Sequence, residues 1–211
     1  MLGLSAAAWL LLLARHGAHV HQQSILAGTW NWLVMIVAMM LPIQIGNVRR
    51  TAERSLWSRR HRAIACYLLG YAGVWILAVL PLAWASAEFG LTHRIDWMGG
   101  SAAGLLIAAT WLVSPWKSVA ARMCHRTLPL APHGWKADLD CLRYGTISGR
   151  GCVFNCWPLM LACWLSGHSL IVMCFAFGLG WADRHFAPSY KALALLLASA
   201  AAGFVVCAQF R

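Results

Sequence analysis

Charge is scarce in this chain. Only 11% of its 211 residues are Asp, Glu, Lys or Arg, where a soluble domain carries about 25%, and only six of them are acidic. The acidic residues Glu53, Glu88, Asp96, Asp138, Asp140 and Asp183 are assigned to loops or helix ends, so no pair of carboxylates inside an apolar run could relay protons. No phosphate-binding glycine loop, serine elbow or H-E-x-x-H metalloprotease signature occurs. Internal repeats, which would suggest an inverted-repeat transporter, are missing too. Nothing in the sequence requires an enzyme.

What replaces charge is apolar length. Hydrophobic residues make up 61% of the chain and the mean hydropathy is +0.64. Uncharged runs approach the roughly 20 residues needed to cross a bilayer. The sequence predicts an all-α polytopic transmembrane bundle of about six or seven short helices, forming one membrane domain over 1–211. The expected spans are Met1 to Ala14, Trp30 to Asn47, Ala63 to Ala87, Gly99 to Trp116 and Lys191 to Phe210, with Cys152 to Ala182 between the last two. That last run is too long for one ordinary crossing, and Gly167, His168 and Ser169 offer a break. A pair of short helices is expected there, with one long tilted helix as the alternative. Gly100 and Gly104 form a small-xxx-small pattern that lets helix backbones approach closely.

The 17 basic residues set the expected orientation. Six arginines fall between Arg49 and Arg62, and six more Lys and Arg lie from Lys117 to Arg150. Basic loops at about 48–62 and 117–150 should face the cytoplasm of a bacterial inner membrane, which also places the N-terminus there. These arginines suit the lipid bilayer and its anionic headgroups, and nucleic acid is not an expected partner. Most of the 13 tryptophans fall near predicted helix ends, as expected for interfacial indoles.

Sulfur and imidazole carry what chemistry the sequence suggests, with eight Cys, eight Met and nine His. Cys152, Cys156, Met160 and Cys163 share one face of a predicted helix beginning near Gly151. Met35 and Met39 share a face of the second helix, with Met40 beside them, and Cys124 and His125 precede the second basic loop. Thiolate and thioether select copper(I) over harder ions. The same stripe is also what simple packing produces, because free Cys and Met fill apolar cores. A disulfide between Cys152 and Cys156 is disfavoured by their parallel directions on a helix. His16, His19, His21, His93 and His168 form a second group, fitting a solvated polar edge or, less well, a metal or haem site.

Several of these residues also carry a resemblance. Trp32 to Pro42, reading W-L-V-M-I-V-A-M-M-L-P, and Gly70, Tyr71 and Trp75, as G-Y-x-x-x-W, look like segments of the DUF2182 family of predicted metal-binding bacterial integral membrane proteins. Ser114 to Lys117 is similar to that family's P-L-K, and Gly151-Cys152 through Cys156-Trp157 to Met160 resembles its C-x-G-C-C-W-x-L-M segment. The resemblance runs along nearly the whole chain. It implies an inner-membrane protein whose metal set is Met39, Met40, Cys124, Cys152, Cys156 and Met160, with His125 and Cys163 as substitutes. The pattern departs at Ala120 and Asn155, where the family has cysteine. Loss of those two donors fits the alternative of a non-catalytic accessory or assembly subunit of a larger membrane complex.

Overall fold

The computed structural model describes residues 2–16, 25–89, 97–131, 133–186 and 189–209. Nine α-helices and no strand occur among them: α1 (Leu2–His16), α2 (Ile25–Ile43), α3 (Ile45–Glu53), α4 (Arg60–Phe89), α5 (Trp97–Val113), α6 (Pro115–Cys124), α7 (Gly134–Leu165), α8 (Leu170–His185) and α9 (Tyr190–Gln209). The all-α bundle expected from hydropathy is therefore the observed architecture. By length and composition, α4 from Trp57 to Leu82 (counting the preceding turn) and α9 are long and apolar enough to cross a membrane. Two bent pairs, α2 with α3 and α5 with α6, qualify if each is taken as a single broken span.

The helices depart from expectation in three places, and the first two departures have local causes. The second expected helix ran unbroken to Asn47, but the axis turns by 64° at Gln44. Pro42 lacks the N–H that would bond the Ala38 carbonyl, and its ring crowds that carbonyl. Ser5 of α1 donates its hydroxyl to the freed Ala38 oxygen at 2.8 Å, so α1 satisfies the group that the proline leaves behind. The fourth helix breaks by 85° before α6. There Ser114 Oγ accepts the Trp116 N–H at 3.2 Å and Pro115 supplies the first helical residue, a start signal written into the sequence.

The third departure is the largest. Residues 117–150, read as a basic loop, are mostly helical, and α7 begins at Gly134, well before Gly151. It ends where expected. Gly167 and His168 both adopt φ of +61°, and the His168 N–H reaches back to the Cys163 carbonyl at 2.8 Å, closing α7 before α8 starts. The two-helix reading of 152–182 thus holds, and the single long helix does not. The outer histidines His19, His21 and His93 lie outside the described residues.

The chain divides into two compact units, each built from separated stretches: residues 1–84 with 120–155, and residues 85–119 with 156–211. In the first, α4 and α7 cross with backbones in contact. A Cβ built at Gly70 would strike the Leu142 carbonyl oxygen, and one at Gly145 would strike that of Tyr67. A Cβ at Gly149 would sit tightly, 3.1 Å from the Tyr71 carbonyl oxygen. Because Tyr67 pairs with Gly145 and Tyr71 with Gly149, residue numbers rise together and the two helices run parallel. In the second unit α5 packs along α9, and Gly104 lies against Ala162, the close approach that the small-xxx-small pattern anticipates.

Candidate metal site

The glycine crossing decides which side chains of the first unit meet. With α4 and α7 in backbone contact, residues one turn apart on each form layers. In one layer, Tyr67 of α4, Ser148 of α7 and Gln44 and Asn47 at the α2–α3 break are all buried and mutually bonded. The Gln44 Oε1 accepts from Asn47 Nδ2 at 2.8 Å, and the Tyr67 and Ser148 hydroxyls lie at 3.0 and 3.2 Å from it. Tyr67 also reaches Ser148 Oγ at 2.9 Å, and Tyr144 tilts against its ring. Asn47, Tyr67 and Ser148 thus converge on the Gln44 oxygen, which fixes the register of the three segments, while Gln44 Nε2 is buried without a partner.

One helical turn further along lies the sulfur layer. Cys152, shut off from solvent, has its Sγ at 3.8 Å from Met40 Sδ. The Tyr71 hydroxyl donates to the same Sγ at 3.2 Å. Met40 reaches this point because the Gln44 break ends α2 just beyond it, and Tyr71 does so because Gly149 admits its backbone. Cys124, also buried, ends α6 beside this turn of α7: a Cβ at Gly151 would lie 2.8 Å from the Met123 carbonyl and 2.9 Å from Cys124 N. Glycine at 151 therefore brings α6 and its terminal cysteine onto α7.

The expected metal residues are distributed as follows. Met40, Cys152 and Cys124 belong to the first unit, and the first two are in contact. Met39 and Met35 are fully buried in the same unit, but the partner of Cys152 is Met40, which the sequence reading set beside their face. His125 is exposed at the end of α6. Cys156, Met160 and Cys163 are buried on the continuation of α7 in the second unit. Ala120, where a cysteine was expected, is a fully buried core residue. Among the described residues no three of His, Cys, Asp and Glu gather into a metal-holding group, so a metal here would depend on methionine as well as cysteine.

That donor set tests well against a soft ion and poorly against a hard one. Two bonds of about 2.3 Å reach across the observed 3.8 Å only when bent, which leaves room for a third donor. Thiol plus thioether, screened from water and with a hydroxyl donating to sulfur, suits copper(I). The hydroxyl of Tyr71 is a contact that sequence spacing did not find, although the G-Y-x-x-x-W segment carries it.

The second unit holds a feature the sequence reading missed. Lys117 Nζ lies 2.8 Å from Asp183 Oδ2, with the two side chains only 4% and 11% exposed, and Nζ also sits over the Tyr190 ring. From sequence Asp183 is expected only at a helix end. Its signal was Lys117 itself, a lone charge in the apolar context S-P-W-K-S-V-A.

A family profile described as PpoB2, copper chaperone, matches residues 29–208. No curated protein and no solved structure matches the chain.

Proposed function

Since the chain belongs to the PpoB2 family of copper chaperones, we propose that it is an integral membrane protein that holds copper(I) on cysteine and methionine sulfur and hands it on. The family carries the copper. The match bears the PpoB2 name and not DUF2182, and the ligand set and membrane placement are proposed from the residues. The observation that carries the assignment is the buried Cys152–Met40 pair under the Tyr71 hydroxyl. Cys124 is the third donor, brought to the same turn by Gly151.

A chaperone has to release its cargo. A thioether is a neutral, weaker donor than a thiolate, and the Tyr71 hydrogen bond withdraws charge from the Cys152 sulfur. Both features keep the ion exchangeable. The membrane assignment is supported by large exposed apolar side chains such as Leu69, Leu77, Ile171 and Leu195, each at least 67% exposed, which lipid would cover. The parallel run of α4 and α7, with α5 between them in sequence, supports placing both basic segments on one side, the cytoplasm of a bacterial inner membrane.

Copper content decides the matter. Detergent-purified, reduced protein loaded with copper(I) should hold the ion with a thiolate-to-metal charge-transfer band. Cys152→Ser and Met40→Leu should each weaken binding by about 10- to 100-fold without loss of helical content. Wild-type protein that stays at background copper would refute the proposal and leave the accessory-subunit alternative standing.

A further inference from the structure

Two cysteines outside the site just described are brought together by the α4–α7 crossing. Cys66 lies one turn before Gly70 on α4, and Cys141 lies one turn before Gly145 on α7. Gly70 and Gly145 are the points where the two backbones touch, and the helices run parallel. One turn back along both helices therefore arrives at the same level, on the faces that meet. Cys141 is 1% exposed, as a residue on the inner face must be, and Cys66 is half-buried, so the pair opens outward on the α4 side. The two thiols are near enough to interact electrostatically. Both are reduced.

Their place along α7 gives the pair a direction. Cys141 precedes Cys152 by eleven residues on one uninterrupted helix, about 16 Å at 1.5 Å per residue. It lies towards the end where Arg59 and Arg62 bind Asp138, the basic end of the unit. Cys152 is sealed from solvent, whereas Cys66 is not. An ion arriving from the basic side meets Cys66 and Cys141 before it meets Cys152.

The geometry points to Cys66 and Cys141 as a second, two-thiol copper(I) station that receives the ion at the basic end of α4 and α7, ahead of the Cys152–Met40 pair. The inference rests on the copper reading proposed above. Two thiolates suffice for copper(I), a soft ion that accepts two sulfur donors. On binding, each sulfur gives its lone pair to the ion and each thiol proton leaves to solvent. No electron moves, and passage inward is ligand exchange of the same ion.

Copper(I) supplied from a chromogenic copper(I)–chelator complex, titrated into the full-length reduced protein in detergent, tests the pair. Wild type should take two ions, the Cys66→Ala/Cys141→Ala variant one, and the Cys152→Ser/Met40→Leu variant one. A Cys66→Ala/Cys141→Ala protein that still takes as many ions as wild type, with unchanged affinity, overturns the two-thiol station and leaves the Cys152 site intact. Wild type that takes none overturns both readings. Should the alanine variant fail to fold, mild oxidation of wild-type membranes followed by peptide mapping gives the answer independently. A Cys66–Cys141 cross-link that forms, and that prior copper(I) loading suppresses, supports the station; absence of the link overturns it.

Discussion

His168 shows how one side chain can couple this fold to pH. It closes α7 in a left-handed turn, and although the residue is half-exposed, its Nε2 is shut off from solvent. Burial pushes the imidazole down to about 4 from its ordinary 6.5. A depressed value means that the unfolded chain takes up the proton first as pH falls. The stability of the neutral form is then complete above about 6.5 and is lost progressively down to about 4. The loss should amount to about 2 kcal/mol or less, since the side chain is not wholly screened. Thermal unfolding in detergent should therefore drop between pH 6.5 and 4, and His168→Asn, which tolerates positive φ, should flatten that slope. An unchanged acid limb in the variant would place the pH sensitivity elsewhere. Other single residues matter for contact and not for charge. Gly70 lies in an expected apolar helix, whereas Gly145 falls in the segment expected to be a basic loop, and the backbones that Gly70, Gly145 and Gly151 admit come from elements far away in sequence.

At the scale of elements, the breaks carry the organisation. Pro42 and Pro115 are visible in the sequence, yet the bend angles and the Ser5 hydroxyl that satisfies Ala38 follow from packing between α1 and α2. The α6–α8 ion pair shows the same limit. Lys117 and Asp183 are 66 residues apart and each is nearly buried. Removing one partner leaves the other charged in an apolar setting, which costs about 3–5 kcal/mol, whereas removing both costs far less. Asp183→Ala should thus destabilise the protein strongly in detergent melts, and Lys117→Met combined with Asp183→Leu should recover most of the loss. A double variant as unstable as the single one would mean that the pair supplies more than mutual neutralisation. The α7 boundary differs most from expectation, starting at Gly134 and not near Gly151. Basic residues from Lys136 to Arg150 mask a helix whose inner face carries Cys141, Tyr144, Ser148 and Cys152.

For the whole molecule, the prediction concerns sidedness. A protease site inserted after Ala131, between α6 and α7, should be cut from the cytoplasmic side of sealed inner-membrane vesicles and protected from the other. Cleavage from the periplasmic side alone would reverse the assigned orientation and with it the direction in which the thiol stations are read. The nine helices among the described residues, against the six or seven expected, arise because two predicted spans break at prolines and because a charged segment is helical.

Composition and hydropathy by themselves determined that the chain is all-helical and built from apolar segments, and the pattern of Cys and Met pointed to copper, with the histidines leaving another metal or haem open. These properties are sums over residues or spacings along one helix, so a linear sequence carries them in full. Which sulfur faces which was decided only by tertiary structure. Met40, not Met39, meets Cys152 because the α2 break and the Gly149 contact set their heights. Cys66 and Cys141 come level because Gly70 and Gly145 bring two parallel backbones together across 75 residues of chain. Those distances depend on where helix axes cross, a quantity that no local periodicity contains.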